Sequence, residues 1–382
     1  HIIYLVKGGE TMSTITAKIQ VYVSDSQAES LRITTKAYRK ACNWLAKYVF
    51  ETKNLNQVSL HNLYYAELRN QFGLKSQMAQ SVMKTVIARY KSLQSNGHEW
   101  SLVIFKLPEY DLVWNRDYSL TQQQFSVNTL DGRLKLAYER RGMKKYFNGT
   151  WKFGTAKLVY KHEKWFLHIP MTKEFTPLAY TDVNNIVGVD LGINFLATTY
   201  DSRGKTTFYK GNMVKHKRGQ FKATRKQLQM RQTPSARKKL KQIGSRENRY
   251  VTDVNHQITK ALVDQYPKGT MFVLEDLTGV RAATEKVRVK DRYVSVSWAF
   301  YQFRQMLEYK AEMNGQKVVT VTPKYTSQTC PKCGHIEKAN RNKKLHTFTC
   351  KNCQYQSNDD RIGAMNLHRK GIEQMGVVAL EV

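Results

Sequence analysis

Two apolar runs in this chain each end on an acid. Ile186-Val-Gly-Val-Asp190 and Thr270-Met-Phe-Val-Leu-Glu275 read as strands, and a third acid, Asp360, opens the last helical stretch. Eighty-five residues separate Asp190 from Glu275, and eighty-five separate Glu275 from Asp360. Local chemistry does not join carboxylates so far apart; a fold that gathers the three ends does. A carboxylate at the end of an apolar strand is costly to enclose unless something positive meets it. Alone, each acid would be an ordinary solvated cap. Together they restrict the chain to folds that bring two strand ends and a helix start to one place.

The rest of the chain makes these acids conspicuous. Its 382 residues carry 62 Lys+Arg against 30 Asp+Glu, a formal net charge of +32. The charge runs through the whole length rather than along one amphipathic helix, so no membrane is expected as partner. Nucleic acid is the natural counterion, bound with strong salt dependence. The length and a hydrophobic fraction of 41% allow two or three packed domains. No apolar run approaches the eighteen or so residues of a membrane span. His1 to Glu10 has a short apolar stretch without a small-residue cleavage site, so residues 1–11 read as an upstream leftover and Met12 as the natural start. Five cysteines, four of them clustered, fit a reducing cytoplasm.

Periodicity divides the chain. Ser24-Asp25-Ser26-Gln27 reads as a capping box, followed by Leu31, Tyr38, Cys42, Leu45 and Val49 at helical spacing, with Cys42 a core thiol. Residues 60–72 and 76–91 predict two more helices, Gly73 ending the first. From Trp100 to about Phe175 the period becomes two. Residues 101–105, 132–138, 156–160 and 164–170 predict strands of a small barrel, with a hairpin turn between Tyr160 and Trp165.

A third region starts near Thr181. Residues 186–191, 195–200 and 205–209 predict strands, the last two joined by Asp201-Ser-Arg-Gly204. A long basic helical stretch follows, then strand 270–275, helix 298–313, strand 316–321 and helix 360–369. Three antiparallel strands, then helix, strand, helix, strand, helix is the order of a ribonuclease-H-like α/β domain. The expected fold class is multidomain, α+β and α/β.

Carboxylates gathered in such a domain suit hard Mg²⁺, which prefers oxygen ligands and keeps water as a nucleophile. Two ions about 4 Å apart stabilise both oxygens of an in-line phosphoryl displacement. Asp276 and Asp359 read as neighbours pointing elsewhere. Cys330-Pro-Lys-Cys333 and Cys350-Lys-Asn-Cys353 make a C-x₂-C-x₁₆-C-x₂-C pattern, the spacing of one structural, tetrahedral Zn²⁺. An iron–sulfur site or a redox pair uses the same residues. Lys338, Arg341, Lys343 and Lys344 give this ribbon a basic tip. Lys210 to Arg249 holds fourteen Lys/Arg and one acid, Glu247. Within it Lys215, Lys217, Arg218, Lys222, Arg225, Lys226, Arg237, Lys238 and Lys239 are candidate nucleic-acid contacts. Asn184, Asn185 and His256 read as close to the acids but without a role.

Gly188-Val-Asp-Leu-Gly-Ile-Asn194, Leu274-Glu-Asp-Leu277, the four-cysteine ribbon and Asp360-Arg-Ile-Gly-Ala-Met-Asn-Leu367 resemble the RuvC-type nuclease of the TnpB family. Thr326-Ser327 and Tyr309-Lys310-Ala311 match its approach to the ribbon. The resemblance is specific over residues 181–370. It implies a helical recognition domain at 24–98 and a wedge β-barrel at 12–23 and 99–178. It further implies a RuvC-like nuclease domain at 179–325 and 355–372, an inserted zinc ribbon at 326–354, and a tail at 373–382. Carried over, it makes Asp190, Glu275 and Asp360 the Mg²⁺-binding catalytic triad and Cys330, Cys333, Cys350 and Cys353 the Zn²⁺ ligands. The activity implied is an RNA-guided, two-metal DNA endonuclease of a prokaryotic transposon, working in the cytoplasm at the nucleoid. Its partners would be a guide RNA from the transposon end, one chain per guide, and double-stranded target DNA with a short adjacent motif. A nuclease-dead guided repressor and an RNase H-like transposase are the alternatives. Ile362 stands where the family usually has Asn, and Gln354 where Gly is common.

Overall fold

The computed structural model describes residues 4–7, 10–107, 109–140, 142–243, 246–277 and 299–380. The chain divides into two units, one containing Thr11–Glu174 and the other Phe175–Val382.

The first unit begins with β1 (Tyr4–Lys7) and β2 (Glu10–Tyr22), then α1 (Asp25–Thr52), α2 (Gln57–Phe72) and α3 (Ser76–Ser95). The capping box is present: Ser24 Oγ accepts from Gln27 N, and Gln27 Oε1 accepts from Ser24 N. Gly73 ends α2 in the left-handed region, φ 62°. Cys42 is buried in α1, and burial pushes its thiol well above the ordinary range. After α3 come β3 (Glu109–Leu112), β4 (Tyr118–Leu120), β5 (Gln124–Thr129), β6 (Gly132–Glu139), β7 (Lys152–Phe153), β8 (Ala156–Lys161) and β9 (Lys164–Phe175). They pair in the order β3-β8-β9-β2-β6-β5-β4, with β1 on β2 and β7 on β9, a nearly closed barrel sheet. The stretch expected as a leftover thus contributes a strand. His162 and Glu163, both at positive φ, form the two-residue turn between β8 and β9.

One expected strand is absent. Residues 101–105 form no ladder, although Val103 is buried and Leu102 and Ile104 are exposed in alternation. Side chains of the helices hold this segment instead: Asn43 Oδ1 accepts from Phe105 N at 2.7 Å, and Tyr90 Oη accepts from Val103 N at 3.2 Å.

The second unit centres on a five-stranded sheet ordered β12-β11-β10-β13-β14, with β10 (Asn185–Asp190), β11 (Phe195–Asp201), β12 (Thr206–Lys210), β13 (Thr270–Glu275) and β14 (Lys317–Val321). β10, β13 and β14 run parallel, and β11 and β12 are antiparallel. The three antiparallel strands β10–β12 and the later strands β13 and β14 occur where the sequence predicts them. The basic stretch is three helices rather than one: α4 (Asn212–Arg231), α5 (Pro234–Ile243) and α6 (Arg246–Gln265). Gln232, at φ 51°, and then Pro234 break it. Helix α7 is Phe300–Met313, and its expected start at Trp298 lies outside the described residues. The last helix, α8 (Asp359–Leu380), follows a small three-stranded sheet of β15 (Arg341–Asn342), β16 (Thr347–Thr349) and β17 (Gln356–Asn358).

Strand alternation sorts the core into two layers. Val187, Val189, Phe272 and Leu274 pack with Leu262, Phe303 and Leu307 of α6 and α7. Ile186, Met271, Val273 and Val319 pack with Leu367 of α8. By the same alternation Asp190 and Glu275 fall on the α8 side.

Candidate nuclease and zinc centre

Asp190 and Glu275 end neighbouring parallel strands. Val189 pairs with Leu274, so the next residue on each strand is the acid. The crevice outside the carboxyl ends of parallel strands is the usual ligand site of α/β sheets. Helix α8 brings the third acid. Asn358 Oδ1 caps the helix by accepting from the backbone N of Asp360 and Arg361, both at 3.1 Å.

The helix can lie this close because glycines face it. A Cβ on Gly188 of β10 would sit 2.0 Å from Ala364 O, and one on Gly363 of α8 would sit 2.9 Å from Asp190 Cγ. Asp190 consequently packs against α8 and is half-buried. Burial, then Glu275 and Asp360, push its carboxyl well above the ordinary range, against the pull of Arg341. Burial also raises Glu275, opposed by a hydrogen bond that Thr326 Oγ1 donates to its Oε1. Asp360 is raised by burial and by Asp359. Asp190 and Glu275 are half-buried and Asp360 is buried, and together they offer an all-oxygen set of the kind that Mg²⁺ takes.

The ribbon lies against this cluster and supplies residues that sequence reasoning placed elsewhere. Arg341 is no exposed tip: its Nε donates to Asp359 Oδ2 at 2.8 Å, and Nη2 lies 3.8 Å from Asp360 Oδ1. Asp359 is itself buried. Asn366 Nδ2 donates to Thr326 O and Thr329 O, tying α8 to the segment that holds Glu275. Asp276 is 3.8 Å from Arg304 Nη1.

Asn184 and Asn185 belong to the other end of β10, about 17 Å from Asp190 at 3.3 Å per residue. They are not near the acids. His256, on α6, is exposed, and its carbonyl accepts from Lys310 Nζ.

The four cysteines converge, with all four Sγ atoms within 4.8 Å of one another. Cys330–Cys353 and Cys333–Cys350 are each 3.6 Å apart, close to the tetrahedral edge of about 3.8 Å implied by Zn–S bonds of roughly 2.3 Å. The His335 backbone N–H holds the Cys333 thiol down to about 6. Ile362 is fully buried with Cys330, Phe348 and Cys350, so this departure from the family motif forms the floor of the ribbon.

Of the basic candidates, Lys215, Lys217, Lys222, Lys226, Arg237, Lys238 and Lys239 are exposed on α4 and α5. Arg218 is not. It is buried against Glu247, its Nε donating to Oε1 at 3.0 Å, and Arg225 reaches Oε2 of the same acid. These two join α4 to α6.

The arrangement defines a class: an α/β protein with carboxylates at its strand ends and a cysteine ribbon inserted before its last helix. Residues 168–281 match the family model described as a probable transposase, and residues 300–367 the one described as a Cas12f1-like TNB domain. The chain is 28% identical over 241 residues to a TnpB-like protein of Methanocaldococcus jannaschii, covering 61% of this chain and 83% of that one. It is 29% identical over 251 residues to the putative RNA-guided DNA endonuclease InsQ of Escherichia coli, covering 60% of each. To the CRISPR-associated endodeoxyribonuclease Cas12f1 of Syntrophomonas palmitatica it is 26% identical, over 64% of this chain and 52% of that one. It thus spans about half the length of that relative. The fold is shared with a solved Cas12f1–sgRNA–target DNA complex, with TM-score 0.55, 12% identity and coverage of 94% and 99%. It is also shared with the mini-RNA-guided endonuclease CRISPR-Cas_phi3, with TM-score 0.59, 11% identity and coverage of 93% and 92%. The chain is a relative of the TnpB and Cas12f proteins. No helix among the described residues is long and apolar enough to cross a membrane.

Proposed function

We propose that the chain is an RNA-guided DNA endonuclease of transposon origin, hydrolysing phosphodiesters of double-stranded DNA at a RuvC-type site. The observation that carries this reading is the meeting of Asp190, Glu275 and Asp360 from β10, β13 and α8. Relatives named as RNA-guided or CRISPR-associated endonucleases support it. Asp190, Glu275 and Asp360 would hold two Mg²⁺ ions, which supply an activated water and stabilise the leaving oxygen.

The protein's own part is positional. Thr326 orients Glu275, the Asn358 cap fixes Asp360, and Arg341 offsets the negative charge when the acids ionise. Cys330, Cys333, Cys350 and Cys353 would take one structural Zn²⁺, which keeps Arg341 over the acids. A guide RNA from the transposon end would select the target by pairing, while the protein reads a short adjacent motif and backbone shape. One chain per guide, in a prokaryotic cytoplasm, completes the reading.

Asp190→Ala should abolish cleavage while the guide-loaded variant still binds target DNA. Normal cutting by that variant would end the assignment. RNA sequenced from the purified protein should be one discrete noncoding species, and joined products on transposon-end DNA would instead indicate a transposase.

A further inference from the structure

His346 takes no part in the reading above, yet it is held with unusual care. It sits in the left-handed region at φ 53°, which few non-glycine residues adopt, histidine being among the more frequent of them. Its carbonyl accepts from Asp359 N at 3.3 Å and from Asn358 Nδ2 at 3.2 Å. The ring is thereby fixed beside the start of α8.

Two buried atoms then face each other without hydrogen-bond partners. His346 Nδ1 and Asp359 Oδ1 are both buried and unpaired, 3.6 Å apart. Asp359 is 1% exposed, and its other oxygen is taken by Arg341. The ligand atoms of His346, Asp359 and Asp360 all lie within 4.8 Å of one another. Buried polar atoms are seldom left unmatched, and two acceptors at this separation fit one cation about 2.1 Å from each.

The second ring nitrogen is occupied. Nε2 is within hydrogen-bond distance of the Asn194 carboxamide. The Asn194 atom placed there is Nδ2; turning that carboxamide by about 180° makes its oxygen accept from Nε2–H and leaves the Nδ1 lone pair aimed at Asp359, the orientation of a metal-ligating histidine. His346 also lines a cavity of about 380 Å³, with Asn194, Phe195, Lys210, Asn212 and Asn358 among its other walls.

We infer that His346, Asp359 and Asp360 form an additional divalent transition-metal site abutting the triad and sharing Asp360 with it. The imidazole nitrogen selects Mn²⁺, Co²⁺ or Zn²⁺ over Mg²⁺, which accepts nitrogen poorly. An ion there withdraws one Asp360 oxygen from the triad, so the site couples cleavage to transition-metal supply.

The test does not need an active enzyme. Zinc-loaded protein carrying Asp190→Asn and Glu275→Gln is titrated with Mn²⁺ and examined by pulsed EPR. The expected result is one bound Mn²⁺ with hyperfine coupling to an imidazole nitrogen. The coupling disappears in His346→Gln, and Mn²⁺ affinity falls at least about tenfold in Asp359→Asn. Zinc content and circular dichroism establish that each variant is folded. Absence of nitrogen coupling in the parent protein, or its persistence in folded His346→Gln, overturns the proposal. Cleavage by the protein without these changes, measured separately in Mg²⁺, decides the nuclease reading on its own.

Discussion

Backbone strain and buried titration are legible one residue at a time. Gln354 sits at φ 58°, whereas the equivalent place after the first cysteine pair is Gly334 at φ 76°. A side chain in this region costs about 1–2 kcal/mol, partly offset by the entropy that glycine brings to the unfolded chain. Gln354→Gly should therefore stabilise the zinc-loaded protein by about 0.5–1 kcal/mol, read as a raised midpoint of thermal unfolding. His368 gives a pH dependence. Its ring lies against Tyr200, its Nε2 is 3.3 Å from Ser202 Oγ, and burial holds its pKa below the usual range against the pull of Asp201. The unfolded chain then binds the proton more readily, so stability is complete above about pH 6.5 and declines as pH falls below it. His368→Gln should flatten that decline in denaturant titrations between pH 7 and 5. Asp190 and Glu275 stood out in the sequence because acids ending apolar strands are chemically out of place. Arg341 was not, because nothing local tells a ribbon arginine that its partner is Asp359, eighteen residues on.

Whole elements depend on how closely two backbones approach. Strand β10 and helix α8 touch through Gly188, where an added Cβ would lie 2.0 Å from Ala364 O and 2.5 Å from His368 N. Both are backbone atoms, so no side-chain rotation relieves the clash. Gly188→Ala should cost about 3 kcal/mol or more and pull α8, with Asp360, away from Asp190. Gly376→Ala in the same helix meets nothing within 4 Å and should be neutral or stabilising by up to about 1 kcal/mol. Comparing denaturant midpoints of the two variants isolates the packing effect from helix propensity. Glycines at these positions were visible in the sequence, but their partners were not. The five-stranded sheet was readable because β10, β11 and β13 are strong apolar runs and the turn Asp201-Ser-Arg-Gly204 announces β12. The error at residues 101–105 has the same root: alternation reports one buried face and does not say whether a strand or a helix covers it. Strands β3, β4 and β5 were missed because they are short and rich in polar residues.

At the scale of the whole molecule, a charge of +32 favours a polyanionic partner but does not say which cations would meet it. The structure divides them by use. Arg218 is spent on Glu247 inside the second unit, whereas Lys238 and Lys239 stand exposed on α5. Each phosphate contact contributes a slope of about −0.9 on duplex or −0.7 on single strands to the dependence of log affinity on log salt. Lys238→Gln with Lys239→Gln should therefore reduce that slope by about 1–2 and weaken binding alike for matched and mismatched targets, since phosphate contacts carry no sequence information. Arg218→Gln should behave oppositely. It leaves Glu247 buried with one partner fewer, so the protein loses stability, while the salt slope of the folded fraction stays where it was. Filter binding from about 50 to 200 mM salt, beside thermal unfolding of the same variants, separates the two classes. An unchanged slope for the double lysine variant would remove α5 from the nucleic-acid path and leave α4 to carry it.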